Sequence, residues 1–135
     1  MAVIPFRTWL SQIVGYCQFV ADDFAVRRAW MNGDYSKTSI TNFDELYEQI
    51  FDDLDSDVLE KDLSIYLSDD SEVREALAAF LEQIRYINTQ REHNRELSST
   101  AELLASKDWV RLVEIARRVV LHSSFSRIGG GGSSR

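Results

Sequence analysis

Three aspartates separated by single residues, Asp53, Asp55 and Asp57, open the pattern with which a calcium-binding loop begins. The remainder of such a loop is missing. Its sixth position needs glycine for a sharp turn and holds Val58; its twelfth needs a bidentate glutamate and holds Ser64. The triplet therefore reads as part of an acidic interhelical surface, and no metal site is expected. The two histidines, His93 and His122, stand without a cysteine set, an H-E-x-x-H or a Glu-x-x-His repeat, so zinc and di-iron chemistry lack their ligands. One cysteine, two histidines and no glycine-rich elbow give no nucleophile with a base in reach. No phosphate-cradling loop or dinucleotide fingerprint is present either. Paired carboxylates are abundant, but at this density of acids such pairs arise by chance. The expectation is a protein that is not an enzyme, carries no cofactor and acts by binding.

What the sequence does concentrate is negative charge. Between Asn42 and Glu75 stand thirteen acids, opposed only by Lys61 and Arg74, so this third carries a formal −11 within a chain of net −7. The flanking parts are mildly basic. An acidic middle repels phosphate backbones, which argues against general nucleic-acid binding. Asp44, Glu45, Glu48, Asp52, Asp53, Asp55 and Asp57 are the acids expected to meet a partner, with Trp30 and Tyr35 as aromatic anchors beside them. A merely solubilising face is the competing reading of the same charge run. Trp9 and Trp109 fall in apolar stripes and read as core. Arg111 and Arg118 lie seven residues apart with Glu114 between them, the spacing of a salt-bridged, solvated helix face.

These groups need ordered elements to hold them. A single proline, Pro5, and only Gly15 and Gly33 before the tail favour helices throughout. Apolar residues recurring every three and four predict a first helix over residues 5–31, its stripe including Trp9, Ile13, Cys17, Val20 and Phe24. Asn42 with Glu45 reads as a capping box opening a second helix, with Phe43, Leu46, Ile50 and Phe51 inward and the acids outward. A third is expected over 56–67 and a fourth over 70–93, capped by Asp69 and Glu72. Ser99 and Glu102 cap a short turn to 105, and Ser106 opens the last helix. Each has one apolar face, so the expected fold is all-α, a single bundle of about five to six helices over residues 1–127. Residues 128–135, IGGGGSSR, read as a flexible Gly/Ser tail of the kind a linker or an added tag leaves.

The apolar stretch over residues 8–21 is too short and too polar to span a bilayer and lacks the basic start of a secretory signal. No membrane association is expected. Cys17, unpaired and within an apolar pattern, suits a buried position in a reducing compartment, here the cytoplasm.

With its acidic charge, small size and closing segment LLASKDWVRLVEIARRVV (residues 103–120), the chain resembles immunity proteins of bacterial toxin–immunity systems, including those of contact-dependent growth inhibition. The resemblance implies binding to one cognate toxin in the cytoplasm and occlusion of its active site. Many such toxins are nucleases whose basic clefts suit an acidic plug. It carries over no individual interface residue. The alternative is a helical adaptor or regulatory subunit that uses an exposed apolar stripe, whose affinity would hardly depend on salt.

Overall fold

Helix caps and apolar spacing lead to seven helices and no strand among the described residues of the computed structural model, which are 5–93, 97 and 99–126, the side chains of 124–126 excepted. They are α1 (Phe6–Ala21), α2 (Asp23–Trp30), α3 (residues 43–53), α4 (residues 56–66), α5 (Ser71–His93), α6 (Thr100–Ala105) and α7 (Lys107–Ser126). The tail, residues 128–135, lies outside the described residues.

The all-helical expectation holds, with one helix more than its upper count because the first element is two. Asp22 leaves the helical conformation at φ −98° and ψ 89°, its N–H still bonded to the Phe19 carbonyl. Its carboxylate then accepts from the Ala25 N–H at 3.1 Å and starts α2. The break changes the phase of the stripe. Phe24, expected inside, is 69% exposed; Val26, also expected in the stripe, is buried, and Ala29 and Trp30 turn inward with it.

The other caps are local and fall close to their sequence positions. Asn42 Oδ1 accepts from Glu45 N at 2.8 Å, Ser99 Oγ from Glu102 N at 3.1 Å, and Ser106 Oγ from Trp109 N at 3.1 Å. At the start of α5 the cap is Asp70, which accepts from Val73 N, and not Asp69. The helix begins one residue later than the Asp69–Glu72 spacing implied.

Helices α1, α5 and α7 make the largest contacts and form the central layer of the core. Trp9, Ile13, Cys17, Leu77, Phe80, Ile84, Trp109, Leu112 and Ala116 are all buried there. Helix α3 lies on α5 and α4 on α1. Burial of apolar area on this scale is the dominant favourable term in folding. It also means that the acidic segment rests on rigid supports. No helix among the described residues is long and apolar enough to cross a membrane.

Candidate partner-binding surface

The acids of α3 sit opposite its buried side, formed by Phe43, Leu46, Ile50 and Phe51. After Glu48 the helix widens into a π turn, Gln49–Asp53. The added residue lets Asp52 and Asp53 both stay exposed while Ile50 and Phe51 remain inside. The chain then reverses at Asp55, which holds a left-handed conformation at φ 55° and ψ 45°. Ser56 fixes this reversal from beneath. Its hydroxyl donates to the Ile50 carbonyl at 2.6 Å and accepts from the Trp9 indole N–H at 2.9 Å, and all of this is buried. The acidic turn is thereby tied to the first turn of α1.

Two arginines of α5 neutralise part of the surface. Arg91 donates to Asp44 at 2.7 Å and to the Leu97 carbonyl at 3.0 Å, with its guanidinium 5.2 Å from the centre of the Phe43 ring. Arg85 repeats the arrangement over Phe51 at 4.8 Å. It pairs with Asp57 at 2.7 Å, with Glu60, and with Glu82 at 3.5 Å. Burial works against the Arg85 charge, but the hydrogen bonds to Glu60 and Asp57 outweigh it and raise its pKa further above the ordinary value.

Glu45 is engaged differently, accepting from Gln49 Nε2 at 3.0 Å. Gln49 Oε1 in turn accepts from the Tyr16 hydroxyl at 2.8 Å. Burial chiefly, and then the charges of Asp53 and Glu45, push the Tyr16 pKa up. The negative field of this turn is thus felt on α1.

Of the seven acids expected at an interface, Asp44 and Asp57 are bound to arginine and Glu45 is held by glutamine. Glu48, Asp52, Asp53 and Asp55 make no ion pair among the described residues. These four follow one another along α3 and the reversal, and they are the part of the surface left to attract a cation.

The aromatic anchors require a correction. Trp30 is only 8% exposed, its indole N–H donating to the Ile40 carbonyl at 2.8 Å and its ring 5.3 Å from that of Trp109. The end of a predicted helix suggested exposure, but the 31–41 loop folds back over it. Tyr35, in that loop, is 49% exposed. Exposed Phe24 and Met31 were missed as surface residues, because the break at Asp22 is not visible in the spacing. Gln49 Nε2 contacts Ser39 O at 3.3 Å and joins this loop to α3.

Other chemistry is sparse. No three His, Cys, Asp or Glu side chains among the described residues converge to hold a metal ion. Asp57, the third of the spaced aspartates, is turned to Arg85. Cys17 is fully enclosed, and burial pushes its thiol pKa well up. His122 lies with Nδ1 at 3.4 Å from a Glu72 oxygen, bridging α7 and α5. Comparison with protein-family models, with curated proteins and with solved structures finds no match to this chain.

Proposed function

We propose that the protein is a stoichiometric binding protein that covers a basic surface of a partner protein, in the manner of an immunity protein on a toxin domain. The observation that carries this reading is the run of four carboxylates, Glu48, Asp52, Asp53 and Asp55, without counter-ions on a rigidly supported turn. Like charges held together lose free energy by mutual repulsion, and a cationic partner relieves it. Their fixed position favours fast, salt-sensitive encounter with a basic cleft. A nuclease cleft, built to hold phosphates, offers such a surface. The action is occlusion, with no bond made or broken by the inhibitor.

The test uses the product of the neighbouring open reading frame as the partner. Adding the protein should abolish that product's activity at a one-to-one ratio. Charge reversal at Asp52, Asp53 and Asp55 should weaken the complex by about tenfold or more, as loss of several interfacial charge pairs does. An unchanged affinity in the reversed variant would refute the role of the acidic turn.

A further inference from the structure

The outward face of α7 departs from the salt-bridged pattern that its sequence suggested. Arg111, Glu114 and Arg118 are all exposed, and none forms an ion pair among the described residues. Lys107 and Arg117 are likewise exposed and unpaired. Four cations therefore face solvent on this helix, with exposed Glu114 and partly exposed Asp108 as the acids among them. Two large apolar side chains share that face. Val110 and Leu121, eleven residues apart and so nearly in line along the helix, are 49% and 55% exposed. The opposite side of α7, with Trp109, Leu112, Ile115, Ala116 and Val119, is spent on the core.

We infer that this face is a second docking surface, for an acidic amphipathic helix of another protein. Arginine presents several donors in a fixed plane and pairs with carboxylates two bonds at a time. Arg111 and Arg118 are separated by about 10 Å along the axis, the reach of two turns of a facing helix. Val110 and Leu121 call for apolar partners at the two ends, and an acidic amphipathic helix supplies both kinds of group. An extended polyanion fits less well. A DNA duplex offers no apolar contact at its backbone, and like an anionic bilayer it would spread past α7 toward the acidic remainder of a chain of net −7. The inner face of α7 is already buried, so the helix has little apolar area left to insert into lipid. This surface is separate from the α3 turn and does not depend on the function proposed for it.

The full chain should be titrated against a fluorescein-labelled synthetic helix of glutamate and leucine in amphipathic order. A glutamate–glycine peptide of equal charge, a DNA duplex and phosphatidylserine vesicles serve as comparisons. Backbone amide shifts should cluster on α7, and Arg117→Glu with Arg118→Glu should weaken binding about tenfold or more, as reversal of two charge contacts does. Leu121→Ser should weaken it while leaving the melting temperature unchanged, since this side chain is solvent-facing. Equal binding of the glutamate–glycine peptide, tighter binding of DNA or vesicles, or shifts confined to other helices would each overturn the inference.

Discussion

Two indoles in the same core stand in opposite circumstances. Trp9 gives its N–H to Ser56 and is fully buried. Trp109 is 1% exposed, and its indole N–H has no acceptor. An unsatisfied buried donor costs about 1–3 kcal/mol, whereas removal of a bonded one strands its partner. Trp109→Phe should therefore destabilise the protein by at least about 1 kcal/mol less than Trp9→Phe, read from urea denaturation. Equal losses would contradict the hydrogen-bond assignment. Cys17 gives a second residue-level prediction. Burial favours its neutral thiol, so its contribution is complete below the unfolded thiol pKa of about 8.5 and is lost as pH rises from there toward the folded value. A thiol reagent at pH 8 should label Cys17 only after denaturant is added. Rapid labelling of the native protein would show that the site opens.

At the scale of elements, two breaks in otherwise regular helices, at Asp22 and Asp55, redirect the chain. Asp22 ends α1 and caps α2, so Asp22→Ala should cost about 1 kcal/mol of stability. Asp55 occupies left-handed space, where a side chain costs roughly 1–2 kcal/mol, so Asp55→Gly should recover part of that. Opposite shifts in urea midpoint for the two variants check both statements. Caps such as Asn42, Ser99 and Ser106 were legible in the sequence because donor and acceptor lie within three residues. The division at Asp22 was not, since Cys17, Val20 and Phe24 keep three- and four-residue spacing across it. The π turn also left no local signal. Only the packing of Ile50 and Phe51 inward, with Ser56 taking the Ile50 carbonyl, accounts for it.

Across the whole molecule the charge is arranged more unevenly than its total suggests. The count of acids between Asn42 and Glu75 was open to sequence reading, as was their support by an apolar helix face. Which of them would remain unpaired was not. Arg85 lies 28 residues from Asp57, and Arg91 lies 47 from Asp44, distances over which spacing says nothing. The fold brings those arginines to both ends of the acidic strip and leaves its middle bare. It also leaves α7 bare on a different helix, with the opposite sign.

The most direct test is the association rate with the neighbouring gene product as a function of ionic strength. For the native chain it should fall steeply as salt rises across the range where the screening length drops to about 8 Å. Glu48→Gln, Asp52→Asn, Asp53→Asn and Asp55→Asn together should lower the low-salt rate and flatten that dependence. A steep slope retained by the fourfold variant would contradict the account.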